Sequence, residues 1–179
     1  MRQTVFFCII IIISIGIISS CVTSQTRYDE AFAYYMYKDN DSALEMLSLI
    51  IDTDPGFYPS YLLKAEIYIQ NGDSASAEKA LMDAKAILPD NYMIPFNLGN
   101  IYFNNKEYQK AIDQYSDSIK TNTAFNRAYL NRANTYMTIK KYRNALMDYE
   151  VFIKLTPEGY ENVRKLAKIL RQDLEALSQ

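Results

Sequence analysis

The chain has 179 residues, 19 basic against 21 acidic side chains, and a formal net charge of −2. It contains no histidine and two cysteines, so histidine-based acid–base chemistry and the usual imidazole metal sites are excluded. Almost half of it is hydrophobic, enough for a full core, and the slightly acidic balance gives no electrostatic footprint for nucleic acid.

The first element is an apolar run of 14 residues, Val5 to Ile18, preceded by Arg2 and followed by Ser19-Ser20-Cys21. A run of this length is short for a bilayer span, which needs roughly 20 residues, and suits the core of a signal peptide. The tail Ile18-Ser19-Ser20-Cys21 resembles a bacterial lipoprotein signal, in which a large apolar residue and two small ones precede the lipidated cysteine. That resemblance implies residues 1–20 as signal peptide, Cys21 as the lipidation site, 21–23 as a short tether, and membrane attachment in a bacterial cell envelope, periplasmic or outer face. The alternative is an uncleaved N-terminal anchor. Cleavage removes Cys8 and Arg2, which leaves 159 residues, one cysteine, no possible internal disulfide and a net charge of −3.

From residue 24 the chain repeats itself. Ala43, Ala77, Ala111 and Ala145 are 34 apart, as are Tyr34, Tyr68, Tyr102 and Tyr136. Small residues recur in step at Ala31, Ala65, Gly99 and Ala133. Pro55, Pro89 and Pro157 keep the same interval, with Thr123 at the fourth place. A fixed interval of this length predicts two-helix units stacked into a solenoid. Four units follow without insertion: 24–57, 58–91, 92–125 and 126–159.

Within a unit, helix A brings its small residue and its tyrosine to one face, because they are three apart. Helix B brings an alanine and, four residues on, Leu47, Leu81, Tyr115 or Tyr149 to its own face. Turns are expected at Lys38-Asp39-Asn40, Asn71-Gly72-Asp73, Asn104-Asn105 and Lys140-Lys141. Asn40 and Ser74 are the expected N-caps of their B helices. Proline ends helix B by pushing the preceding residue out of the α region. Unit one carries Arg27 and Glu30 where the repeat pattern expects an aromatic and a leucine, a departure suited to an end unit. A last helix over about 160–177 places Val163, Leu166, Ala167 and Leu170 on one side, as a cap. Its Arg164, Lys168 and Arg171 form a basic stripe expected to be solvated. Asp113, Asp117, Asp148 and Glu150 read likewise as solvated helix faces.

The spacing resembles the tetratricopeptide repeat: aromatic, two residues, leucine, small, two residues, tyrosine, then alanine, three residues, large apolar, then proline. The fullest match is Leu98-Gly99, Tyr102, Ala111, Tyr115; the first and last complete matches run Tyr61, Ala65, Tyr68, Ala77, Leu81, Ala84, Pro89 and Tyr129, Ala133, Tyr136, Ala145, Tyr149, Pro157. The resemblance implies an all-α, right-handed superhelical solenoid of four repeats with a capping helix over 160–179. It also implies a concave face, lined by the A helices, that holds a protein or extended peptide. Carried over residue by residue, that face is Tyr28, Asp29, Phe32 and Tyr35 in repeat one, then Leu62, Leu63, Glu66 and Ile69. In repeat three it is Phe96, Asn97, Asn100 and Phe103, and in repeat four Arg127, Leu130, Asn131, Asn134 and Met137.

Asn97 and Asn131 share a register position, as do Asn100 and Asn134. Repeated carboxamides can bond both donors and acceptors of an extended backbone, or they can pair with one another. Relatives that clamp acidic chaperone C-termini use lysine and asparagine at set positions. Here Tyr28 and Phe32 stand in the first repeat instead, and only Asn97 and Arg127 fit loosely. No phosphate loop or catalytic constellation is present, so no cofactor or reaction is expected. The expected function is a lipid-anchored envelope scaffold or peptide adaptor, similar in layout to small lipoproteins that assist pilus, secretin or outer-membrane assembly. The alternative is a structural envelope protein that associates with itself.

Overall fold

The computed structural model describes residues 23–177. Cys21, the apolar run and the expected cleavage site lie outside them. Among the described residues there are nine helices and no strand. They are α1 (Ser24–Met36), α2 (Asn40–Thr53), α3 (Tyr58–Gln70), α4 (Ser74–Ile87), α5 (Met93–Asn104), α6 (Tyr108–Thr121), α7 (Asn126–Thr138), α8 (Tyr142–Leu155) and α9 (Glu161–Ala176). The chain is all-α, each 34-residue unit is one helix pair, and α9 is the added helix at the end. None of these helices is long and apolar enough to cross a membrane.

The residues fall into two compact units, one ending at Ile67 and the other beginning at Tyr68. The first is built around Ala31, Ala43, Leu47, Ile50, Leu63 and Ile67. In the second, Ala133, Ala145, Tyr149, Phe152, Val163, Ala167 and Leu170 join α7, α8 and α9 in one cluster, so α9 does cover repeat four.

The in-phase small residues sit where the helices approach most closely. Ala31, Ala43, Ala77, Ala111, Ala133 and Ala145 are all fully buried. A Cβ built on Gly99 would stand 2.6 Å from the Tyr115 ring, so the aromatic of helix B occupies the room that the glycine leaves.

Each A-to-B turn is the same piece of geometry. The N–H of Asp73 donates to the carbonyl of Tyr68 and that of Gly72 to Ile69. The pattern returns as Asp39 to Tyr34 with Lys38 to Tyr35, Glu107 to Tyr102 with Lys106 to Phe103, and Lys141 to Tyr136 with Lys140 to Met137. This double bond closes a helix on a residue in the left-handed region, the place glycine fills at least cost. Gly72 is there at φ 77°, but its counterparts are Lys38, Lys106 and Lys140 at φ 63°, 64° and 60°.

The next residue begins helix B. Asp39 accepts from the Ser42 N–H and Asp73 from the Ser76 N–H, so these aspartates are the N-caps. Asn40 and Ser74, expected to cap, are the first helical residues instead, because the left-handed residue ends the turn one position earlier. At the other end of helix B the backbone leaves the helical region at Asp54, Leu88 and Thr156, just before the prolines. Asn122 does the same without one: its side chain accepts from the Ala124 N–H and holds the turn.

Candidate functional site

The A helices of repeats three and four, α5 and α7, carry the residues the sequence singled out, and the structure divides them sharply. Phe96 is 2% exposed, packed edge-on against Phe125 at 5.0 Å and tilted against Tyr115 at 6.0 Å. It is a core residue, not a groove residue. Its position is the one proline-opened turn of α5, where Pro95 and Phe96 both turn inward. Leu130 and Met137 are half-buried against the repeat-four core, where they widen the packed face of α7.

The asparagines are partly used by the protein itself. The Asn97 side-chain amide donates to the carbonyl of Met93, one turn back on its own helix. The Asn100 side-chain oxygen accepts twice, from the Tyr115 hydroxyl at 2.8 Å and from the Asn131 amide at 2.8 Å. One carboxamide therefore ties both helices of repeat three to helix A of repeat four. The Asn134 oxygen accepts from the Tyr149 hydroxyl at 2.7 Å, the same bond one repeat later. Burial pushes both phenol groups above their ordinary range, so they stay protonated donors.

What is presented outward is smaller than expected. Arg127 and Asn134 are exposed; Asn97, Phe103 and Asn131 are half-exposed. The Arg127 guanidinium lies 5.3 Å from the Phe96 ring centre, and Phe103 meets Tyr108 edge-on at 5.7 Å. The surface offers one cation lying over a buried ring, a half-exposed phenylalanine and an amide edge, which can bind and orient a polar chain.

Two further polar groupings were missed. Asp148, expected on a solvated face, is 5% exposed and takes a two-pronged bond from Arg132, both contacts at 2.7 Å. The third arm of Arg132 donates to Ser116 Oγ on the preceding B helix at 2.8 Å. In the first compact unit Lys64 donates to Ser48 Oγ at 3.0 Å, in the same register. The basic stripe of the last helix is likewise occupied. Arg164 donates to the carbonyls of Thr156, Pro157 and Gly159, closing the end of α8, and Arg171 pairs with Glu150 at 2.7 Å.

A signal for the tyrosine–asparagine bonds was present in the repeat. Helix B has Leu47 and Leu81 in the repeats where helix A has Phe32 and Glu66. It has Tyr115 and Tyr149 where helix A has Asn100 and Asn134. The two positions change together.

These features define a class: helix pairs in a strict 34-residue register, with small residues buried between the helices and polar side chains along the A helices. Three tetratricopeptide-repeat models match, one described as a tetratricopeptide repeat over residues 34–93, one as YpiA-like tetratricopeptide repeats over 70–123, and one as a tetratricopeptide repeat over 127–158. The chain belongs to the tetratricopeptide-repeat family. Among curated proteins it is 26% identical over 147 residues to the TPR repeat-containing protein YpiA of Bacillus subtilis (strain 168), covering 78% of this chain and 35% of that one. The chain spans about a third or less of the length of the first curated relatives it matches. Among solved structures, a MamA crystal structure superposes with a TM-score of 0.69 at 21% identity, over 81% of this chain and 84% of that one. The first repeat domain of Spaghetti (RPAP3), bound to the HSP90 peptide SRMEEVD, gives 0.58 at 23% identity, over 64% and 93%. These likenesses establish the fold. Proteins of this family mediate protein–protein interactions.

Proposed function

We propose that this protein is a lipid-anchored envelope scaffold that holds a protein or extended peptide on the A helices of repeats three and four, without transforming it. The observation that carries the reading is the half-open row of carboxamides beside the Arg127–Phe96 pair, with Asn134 at its exposed end. Asn100 accepts two bonds from within the protein, whereas Asn134 accepts one, from Tyr149, and is itself exposed. The anchor reading rests on Ile18-Ser19-Ser20-Cys21 behind the apolar run.

Both halves are tested on the full chain in its own membranes. Metabolic labelling with palmitate should mark the protein and be lost, with processing, in Cys21→Ala. A Cys21→Ala chain that still matures and labels removes the anchor. Affinity capture from detergent-solubilised membranes, read by mass spectrometry, should return a partner that an Arg127→Ala, Asn134→Ala variant captures less well. Losing the two contacts should cost about 1–3 kcal/mol of binding. Circular dichroism controls for Tyr149, which loses its acceptor in that variant. Unchanged capture moves recognition elsewhere. Capture of nothing but the chain itself, with dimers in sedimentation, selects the self-associating protein.

A further inference from the structure

The first helix carries a face that the reading above leaves unused. Five of the ten residues from Tyr28 to Tyr37 are aromatic. On α1, Tyr28, Phe32, Tyr35 and Met36 follow one another at helical spacing along a single stripe. Tyr28 and Phe32 stack at 6.4 Å and Phe32 leans on Tyr35 at 5.9 Å, so the stripe is continuous. It is also open: Phe32 is 43% exposed, Met36 63% and Tyr37 87%. The stripe runs beside the buried side of the helix: Tyr28 and Tyr35 are half-buried against the repeat-one core next to Ala31, and Phe32 and Met36 form its open outer edge. Large apolar side chains left exposed beside one another, as Phe32 and Met36 are, mark a surface that something else covers.

We infer that this stripe is a membrane-interface contact: α1 lies along a zwitterionic bilayer surface with Tyr28, Phe32, Tyr35 and Met36 in the headgroup layer. The inference rests on the anchor reading, in either of its two forms. If Cys21 is lipidated, three residues lead to Ser24, a reach of about 10 Å at most. If the apolar run is retained, six residue steps lead from Ile18 to Ser24, about 20 Å. A 13-residue helix is itself about 20 Å long, so the whole stripe stays within reach of the surface in both cases.

The chemistry of the stripe suits that place. Tyrosine and phenylalanine settle at the polar–apolar boundary, where rings are half in and hydroxyls stay wet. An interfacial helix buries its apolar side by about 5–10 Å. Charge decides the kind of surface. Residues 23–67 hold three basic and eight acidic side chains, a net −5, while 68–177 hold fifteen and thirteen, a net +2. An anionic surface would repel the end that carries the stripe; a zwitterionic one would not. Of the carboxylates at this end, Asp29 accepts from Gln25 and Asp54 from Ser24.

The chain has no tryptophan, which gives a clean probe. Full-length protein isolated from membranes, carrying Phe32→Trp or Met36→Trp, is placed in phosphatidylcholine vesicles with brominated acyl chains. Tyr142→Trp, at a 41% exposed position of repeat four, is the comparison. Flotation with the vesicles reads the anchor, and bromine quenching reads the stripe. The expected result is flotation of all three, with a blue shift and loss of most emission for positions 32 and 36 but not 142. Flotation without quenching at both stripe positions overturns the inference and leaves the anchor standing. A blue shift without quenching, together with dimers by sedimentation in detergent, assigns the stripe to a second copy and likewise overturns it. Failure to float removes the anchor and the inference together.

Discussion

Arg132 and Asp148 offer the sharpest test of how repeats three and four are held in register. Their side chains are 18% and 7% exposed, joined by two bonds of 2.7 Å, and the guanidinium also reaches Ser116 on the preceding B helix. Taking either charge alone out of such a pair leaves the other without compensation in a poorly solvated site, a loss of about 3–5 kcal/mol. Arg132→Leu should approach that figure, because Asp148 is the more buried partner. Asp148→Gln should cost less, since Arg132 keeps Ser116 and some water.

Repeat three indicates what the double change should do. At the same register it holds Leu98 and Gln114 in place of Arg132 and Asp148. A buried pair exchanged for side chains of similar volume is often neutral. Ser116 is not orphaned, because its hydroxyl still donates to the Ile112 carbonyl. Arg132→Leu, Asp148→Gln should therefore recover most of the single-mutant loss, with a coupling energy of about 2–3 kcal/mol across the cycle. Urea unfolding followed by circular dichroism measures all four forms, provided the slope with denaturant stays constant. A loss below about 1 kcal/mol for Arg132→Leu, or additive singles, would refute the claim that this pair is shielded and coupled.

Two more outcomes follow from the turns and from one phenol. Lys140 stands in the left-handed region, which costs a non-glycine residue about 1–2 kcal/mol, and Lys141 begins α8 with no side-chain cap. Giving repeat four the Gly72-Asp73 pair of repeat two, by Lys140→Gly with Lys141→Asp, should raise stability by roughly 1–2 kcal/mol; an unmoved urea midpoint would contradict the strain and the cap. Burial, then the bond to Glu78 at 2.6 Å, pushes the Tyr102 hydroxyl up to about 12. Its folded value lies above the ordinary one of about 10, so its contribution is intact below pH 10 and is lost as pH rises towards 12. Tyr102→Phe should flatten the fall in urea midpoint between pH 10 and 11, and equal slopes in the two proteins would remove the cause named here.

The fold was legible because its causes repeat. A small residue at a close crossing, a large one four positions on and a break before the next unit are local demands, and each is restated four times. The caps were misplaced by one residue for a reason the period could not reveal. Before Asp39 the left-handed position is held by lysine, so the usual helix stop is missing from the letters; before Asp73 it is present as Gly72, and there the cap was readable from it. The site was less legible, because exposure is not a property of register alone. Phe96 and Asn97 are adjacent on α5, yet one packs between Tyr115 and Phe125 and the other bonds its own backbone. Asp148 reads as a surface carboxylate until Arg132, sixteen residues away, is folded against it.

The positions that keep the period and those that break it do different work. Alanines in phase make every crossing alike, and alike crossings cannot tell one neighbour from another. Specific adhesion between repeats three and four comes from residues that occur in only some units: Asn100 with Tyr115 and Asn131, and Arg132 with Asp148 and Ser116. Each is a polar contact among shielded side chains, and each forms fully only when two units meet in one register. The same substitutions fix the A helices whose outer edges carry Arg127 and Asn134. A partner held there would bind to a surface whose spacing the internal amides already set, so little ordering remains to be done on binding. The polar residues that hold the units together thus support the face proposed to meet the partner, and a change in one should be felt in the other.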